Sequence, residues 1–380
     1  MIKNSIPLID LRGKTPIDLL RAYPDSAKTL VESARKSYGV LSNMASSIVL
    51  PFVDKRSHNW LVKSNNPFLH EIETFDSIIG KRGVFSLNLA YEWGCTSGAY
   101  RNGESVAMVR ILDWPFPDLG KYVVITLQDG KAGEFYNITW PGISGVFNAT
   151  AHNRFSAALN LAPMRRYGIN IVADWIKNRR IAYGNSGLPP AHLLRQVFEN
   201  AENYEEAKKI LAETPVAVPA IFILTGTEFS DGCIIERLEN DYRIREIGAD
   251  QQVVASNQFQ TDLATGTKAR PFFDSNGRWQ HGCSLQGYEI IKPDFSWLTP
   301  PILNPLTRLC VIADSVSKQL YVQGFEGITP ITEIFELPNN NKEDIVNEND
   351  VDDYVDEEYM KIGIDLESSY DEDEEENSSY

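Results

Sequence analysis

The stretch DSAKTLVESARK, residues 25–36, places Ala27, Leu30, Val31 and Ala34 one helical turn apart behind an Asp cap, and the first 80 residues read as mainly helical. After Cys95 the pattern changes. ESVAMVRILDW (104–114), KYVVITLQDG (121–130), EFYNITW (134–140), SGVFNAT (144–150) and FSAALNLAP (155–163) are short β-rich runs separated by Gly, Asp and Asn, as in an antiparallel meander. Residues 189–213 return to helical spacing as a helix pair, with Asn203 and Glu206 forming a variant capping box at the second start. AIFILTG (220–226), GCIIERLEN (232–240), YRIREIG (242–248) and QVVASN (252–257) are again strands, and residues 308–324 read as a late hairpin. Two runs of strands with helices before and between them predict an α+β fold of stacked antiparallel sheets with helical layers. No internal repeat is present.

Charge changes this picture only at one end. The 380-residue chain has a net charge of -16, but residues 339–380 hold 17 Asp and Glu against Lys342 and Lys361 and so carry -15 of it. The body is nearly neutral, and the tail, too polar to bury a core, is expected to be disordered and to solvate the protein. No basic stripe with interleaved aromatics appears, so nucleic acid is not an expected partner. No run approaches 18 apolar residues, which gives no expected membrane span, and the start MIKNSIPLIDLRGK does not read as a signal peptide. The expected location is cytoplasmic. Cys95, Cys233, Cys283 and Cys310 are scattered without a CxxC pair, and the five His share no ligand spacing, so neither a metal nor a cofactor is expected.

One short segment carries candidate chemistry. NLAYEWGCTSGAYRNG (88–103) sets Cys95 between a glycine and two hydroxyl residues, and Arg110 and Asp113 follow in VRILDWPFP. A lone Cys is ordinarily a small buried hydrophobe, and a strand Arg often snorkels or pairs structurally. Together, however, NLAYEWGCTS and RILDWPF resemble the acid ceramidase and N-acylethanolamine acid amidase group, within the choloylglycine hydrolase and penicillin V acylase superfamily. The resemblance runs from about Pro7 to Leu337. Its motifs are Tyr91-Glu92 before Cys95-Thr96-Ser97, the Arg-x-x-Asp of Arg110 and Asp113, Asn160 in AALNLAP, Asn257 in VVASNQF and Arg278 in DSNGRWQHG.

The resemblance implies a four-layer αββα sandwich that cuts itself between Gly94 and Cys95. It implies residues 1–94 as a mainly helical α piece, 95–338 as the catalytic core and 339–380 as the tail, the two pieces remaining as a heterodimer that could itself form homo-oligomers. The freed α-amine of Cys95, with an ordinary pKa of about 7.7 to 8, then serves as the base, and no histidine is required. By the same resemblance Asp113 holds that amine and Arg110 orients the thiol and lowers its pKa. Asn257 donates to the oxyanion, and Asn160 is a second polar contact. Arg278 stands where relatives carry a late arginine, with Arg270 as its rival. Without the resemblance, Asn160 and Asn257 read as strand-end turn residues and Arg278 as a solvated turn residue after Asn276-Gly277. The implied substrate is a linear N-acyl amide with a fatty or other apolar acyl group. Aromatics of WPFPDLGKY and FYNITWPG are candidates for lining its pocket, though such residues more often sit in a core. Alternatives are an acyltransferase resembling isopenicillin N acyltransferase and a silent binding protein. The sequons at Asn137 and Asn148 matter only on a secretory route.

Overall fold

A computed structural model describes residues 4–37, 42–89, 93–168, 170–249, 251–270 and 274–337. The acidic tail and Tyr91-Glu92 lie outside them. The chain opens with β1 (Leu8–Asp10), then α1 (Pro16–Ala22), α2 (Pro24–Ser37), α3 (Ser42–Lys63), α4 (Leu69–Ile79) and α5 (Val84–Leu89). Seven strands come next: β2 (Gly94–Asn102), β3 (Ser105–Asp113), β4 (Val124–Gly130), β5 (Gly133–Thr139), β6 (Asn148–Ala151), β7 (Phe155–Leu161) and β8 (Met164–Arg165). Helices α6 (Ile171–Gly184), α7 (Pro190–Asn200) and α8 (Tyr204–Glu213) lead to β9 (Ala220–Thr225), β10 (Gly232–Arg237), β11 (Tyr242–Glu246), β12 (Gln252–Ala255) and β13 (Thr267–Lys268). The last part holds α9 (Ser275–Ser284), α10 (Gly287–Ile290), β14 (Thr307–Asp314), β15 (Gln319–Glu326), β16 (Thr329–Pro330) and β17 (Phe335–Leu337).

Two sheets stack face to face. One runs β1-β4-β5-β6-β7-β9-β10-β11 and the other β12-β2-β3-β14-β15-β16, with β17 also on β15. β2 and β3 of the second sheet pack on β7 and β9 of the first. α7 and α8 cover the outer face of the first sheet, and α9 and α10 cover that of the second beside β2 and β12. The fold is therefore α+β, a four-layer αββα sandwich. Layering on both faces explains the continuous apolar runs of β3, β7, β9 and β14, which are buried at every position. One pairing departs from the antiparallel expectation: β1 joins β4 in parallel, Leu8 opposite Ile125.

Helix ends follow from local chemistry. Asp54 on α3 accepts from the backbone N–H of Gly83 at 2.6 Å and of Ser86 at 3.1 Å, capping α5 from a distance. Asn203 caps α8 by accepting from Glu206 N at 3.0 Å, while Glu206 accepts from Glu202 N, one residue before the cap, rather than closing the reciprocal box. Asp25 lies inside α2, not at its cap, yet Ala27, Leu30, Val31 and Ala34 are all buried as the spacing predicts.

Residues before and after position 94 share one core. α2, α4 and α5 pack with Trp93, Trp140 and Phe147 and with the inter-sheet apolar residues in a single cluster. Arg195 on α7 is the polar hinge of this junction: it pairs with Glu71 on α4 at 2.7 Å, donates to Ser144 O at 2.9 Å and lies 4.1 Å over the Phe68 ring. Removing one partner of a nearly buried pair leaves the other charge uncompensated, so Arg195→Ala should cost ~3–5 kcal/mol of unfolding free energy in a denaturant titration. A loss below about 1 kcal/mol would show the junction to be held by apolar packing alone.

Both sequon asparagines are buried, Asn137 on β5 and Asn148 on β6, the latter donating to Ile138 O at 3.0 Å. Either is out of reach of a glycosyl transfer to the folded chain. Trp114, Phe116 and Trp140, candidates for an acyl pocket, are core residues, with Trp114 packed on Trp93 at 5.0 Å and on Phe116 at 5.0 Å. Among the described residues, no helix is long and apolar enough to cross a membrane.

Candidate active site

β2 and β3 form an antiparallel pair in which Cys95 lies opposite Leu112, Ser97 opposite Arg110 and Gly94 opposite Asp113. Opposed residues share a face, so Cys95, Ser97, Leu112 and Arg110 point between the sheets. Thr96 and Asp113 point the other way, toward α9. Cys95 belongs to the inter-sheet cluster and is 0% exposed, whereas Tyr100, Val109 and Ile111 belong to the outer cluster under α9 and α10.

Each polar atom of Cys95 is engaged by a buried group. Arg110 Nη2 donates to Cys95 Sγ at 3.5 Å and to Leu159 O at 3.3 Å. Among the described residues its Nε and Nη1 find no partner, although Arg110 is 0% exposed. Cys95 N donates to Asn257 Oδ1 at 2.8 Å. Arg278 Nη1 donates to Cys95 O and, at 2.9 Å, to Thr96 Oγ1, while its Nη2 donates to Asn257 Oδ1 at 2.7 Å. Asp113 lies 3.5 Å from Arg278 Nη1 and accepts from Thr307 Oγ1 at 3.0 Å.

α9 can deliver Arg278 because Gly282, one turn along, lets the helix lie against β2 and β12. A Cβ there would stand 2.8 Å from Val254 Cγ1, and Gly282 O accepts from Tyr100 Oη at 3.1 Å. The helix starts at Asp274, whose side chain accepts from Gly277 N at 3.1 Å. Arg278 is therefore a helical residue in the first turns of α9, 1% exposed, and the solvated-turn reading is corrected. Arg270, its rival, donates instead to Ala162 O at 3.3 Å at the end of β7.

The two asparagines are held in different ways. The two donors on Asn257 Oδ1 and the Leu161 O that accepts from its Nδ2 at 2.8 Å fix the orientation of its amide, with the carbonyl toward Cys95 N. Asn160 accepts from Ser97 Oγ at 2.6 Å and donates to Ala255 O and Ser256 O, so its side chain staples β7 to the other sheet beside Cys95. Two partners carry no signal of their own in the sequence: Thr307, and Ser275, whose Oγ accepts from Asn257 N at 3.0 Å. Both are short hydroxyl residues whose partners in the site are more than 15 positions away.

Burial pushes the Cys95 thiol up to about 11, with the Arg110 charge pulling the other way. Burial likewise raises the Asp113 carboxyl, opposed first by the Arg278 charge. The Cys95 side chain is thus a neutral thiol at pH 7. None of the four cysteines is in a disulfide, and no group of His, Cys, Asp and Glu among the described residues could hold a metal ion.

A sandwich with a buried Cys at the start of an interior strand and Arg-x-x-Asp on its neighbour is here the scaffold of an enzyme that breaks amide carbon–nitrogen bonds. No family model matches the chain. Acid ceramidase of Bos taurus is 33% identical to it over 334 residues, 80% of each chain, and that of Macaca fascicularis is 25% identical over 328 residues, 77% of this chain and 78% of the relative. The chain belongs to the acid ceramidase family. Among solved structures, the Caenorhabditis elegans ortholog of N-acylethanolamine-hydrolyzing acid amidase is 18% identical and covers 58% of this chain and 92% of its own, with a TM-score of 0.46.

Proposed function

We propose that the chain cuts itself between Gly94 and Cys95, and that the freed Cys95 then hydrolyses N-acyl amides with an apolar acyl group. The observation that carries this reading is the separate capture of Cys95 Sγ, N and O by Arg110, Asn257 and Arg278, with no histidine among them. In maturation Sγ attacks the Gly94 carbonyl carbon, the C–N bond breaks as the nitrogen takes the thiol proton, and a thioester forms. Water then releases the Gly94 carboxylate, the thiol and a free α-amine.

In turnover that amine takes the thiol proton while Sγ adds to the substrate carbonyl carbon. The C–N bond breaks, the proton passes to the leaving amine, and water hydrolyses the acyl thioester to the acid. An amine base of ordinary pKa about 7.7 to 8 compensates for the raised thiol, because the proton moves within one residue. The two unpartnered nitrogens of Arg110, Nε and Nη1, are donors available to negative charge forming beside Sγ. The kinship with acid ceramidases, whose name denotes action on a fatty N-acyl amide, supports a long acyl chain.

Asn257 Oδ1 already faces the nitrogen that becomes the base, so its assigned role is to hold the amine rather than to donate to the oxyanion. Asn257→Ala should lower kcat by ~10²-fold, the order of losing one preorganised contact. Asn257→Asp keeps the acceptor and adds negative charge beside the α-ammonium, raising its pKa, so activity should return as the pH is raised. Equal inactivity of both variants across the pH range would assign Asn257 to the oxyanion. The test of the activity itself is release of fatty acid from N-acyl amides by purified, cut protein. Diversion of the acyl group to added amines in place of water would identify an acyltransferase.

A further inference from the structure

Helices α3 and α6 lie side by side at the surface, and neither presents an acid to solvent. They touch through Trp60, whose ring stands 5.8 Å from that of Tyr183 and whose Nε1 donates to Asn185 O at 2.9 Å, and through Lys63, which donates to Gly184 O at 3.0 Å. Each helix holds a single acid, and both acids are buried. Asp54 accepts from Gly83 N and Ser86 N, and Asp174 pairs with Arg166 Nε at 2.6 Å.

The outward positions mix apolar and cationic side chains. On α3 they include Phe52, Lys55, Arg56, Val62 and Lys63, and on α6 Val172, Ile176, Lys177, Arg180 and Ile181. Phe52 is 58% exposed, Val62 52% and Val172 63%, so large apolar groups stand in water on both helices. Among the described residues none of the five cations has an acid partner; Arg56 lies 4.7 Å over the Phe52 ring and Lys177 3.7 Å over that of Tyr167. A surface of this composition suits an anionic partner that also carries apolar side chains.

The chain carries such a partner itself. Residues 351–362, VDDYVDEEYMKI, lie outside the described residues, and their sequence sets Val351, Tyr354, Val355, Tyr359 and Ile362 at helical spacing with five acids between them against Lys361. The 14 positions from Leu337 to Val351 can extend ~46 Å, more than twice the ~20 Å radius of gyration expected of a body this size. We propose that residues 351–362 cover the α3–α6 face, their apolar side chains on Phe52, Val62, Val172 and Ile176 and their carboxylates on the cations beside them. A tethered segment has a millimolar effective concentration, so even a weak contact keeps the face covered. α3 precedes position 94 and α6 follows it, so the cover also straps the two proposed pieces together. This inference does not depend on the hydrolase reading.

Carbodiimide treatment of the full chain, which joins carboxylates to adjacent lysines without a spacer, followed by peptide mass spectrometry, tests this. Leu337 stands opposite Leu320, so the exposed Lys318 lies near the root of the tail, and a merely tethered tail meets it first. Links from residues 351–362 to Lys55, Lys63 and Lys177 should exceed those to Lys318 by about 10-fold in low salt, the preference shrinking as NaCl is raised. In the Val351→Ser, Val355→Ser, Tyr359→Ser triple variant, which keeps every charge of the tail, the preference should fall to near one. Links that favour Lys318 or spread evenly over the exposed Lys131, Lys209 and Lys292 overturn the proposal, as does a preference untouched by the triple substitution. Links found only in covalent dimers overturn it too and give the face to a second copy. A full chain that floats with phosphatidylserine vesicles while these links are missing gives the face to a lipid surface instead.

Discussion

Purified wild-type protein should run on a denaturing gel as two pieces, residues 1–94 and 95–380, while Cys95→Ala stays one chain and shows background turnover of acyl amides. The same sulfur is assigned both reactions, so removing it abolishes both at once; loss of a covalent nucleophile typically costs ~10⁶-fold in kcat. The substitution deletes one buried atom at a site bounded by apolar packing, so the variant should keep the fold. Cys233 and Cys310 serve as controls: both are buried thiols, and Cys310 feels the Arg110 charge but belongs to the outer cluster under α9 and α10. Their Ala variants should still cut themselves. Intact mass is the readout, and a wild-type chain that stays full length at every pH between 4 and 8 would sink the reading.

Arg278→Met should be nearly as damaging, for a different reason. Arg278 is a positioning residue that binds the Cys95 carbonyl, Thr96 and the Asn257 carbonyl from the opposite side of the sheet to the thiol. Without it the Cys95–Thr96 peptide, one residue beyond the bond to be cut, loses the anchor on its carbonyl, and Cys95 loses its fixed place. A shift of about 1 Å at a reacting centre is enough to cost ~10²-fold. Asp113 also loses the charge that most opposes its burial. A carboxyl already pushed up then rises further and becomes protonated at higher pH, so the acid limb of the self-cleavage profile should move upward. Arg278→Lys separates the two effects: it should return the limb toward its wild-type place and leave the rate low, because an ammonium supplies charge without the planar fork. An unshifted limb in Arg278→Met would show that Asp113 does not set it.

The parts of this molecule legible in its sequence are those where one local rule dominates. β3, β4, β5, β7, β9, β10, β12 and the β14–β15 hairpin fall where short β-rich runs stand between turn residues. β2 is harder to read, because GCTSGAYRN has small and polar residues where a strand signal needs branched ones; its inward alternation of Cys95, Ser97 and Ala99 becomes visible only against β3. α9 is hidden by Asn276-Gly277, a turn dipeptide that here lies inside a first helical turn, although the Asp274 side chain on the N–H three residues later is a cap pattern that marks the start. α6 escapes in the same way, with Asn170 capping Ala173 N at 2.9 Å. The site divides along the same line. Cys95, Arg110 and Asp113 lie within 19 positions on paired strands, whereas Ser97 to Asn160 spans 63 positions, Arg278 to Cys95 spans 183 and Thr307 to Asp113 spans 194. Such contacts are set by how the layers stack, and a single sequence carries no pattern for them.

The strand β1 joins its sheet from the far side of the proposed cut, alongside helices that share their core with the strands beyond position 94. Before the cut, every contact of that core forms within one molecule, and refolding from denaturant depends only on the chain itself. Afterwards the same native structure has to be rebuilt from two strangers that must first meet. Its midpoint of unfolding then depends on concentration, as for any obligate complex, and dilution alone weakens it. The proposed cut would leave the folded architecture in place but remove its means of self-repair, so that the mature enzyme would persist by the slowness of its unfolding and not by the ease of its return.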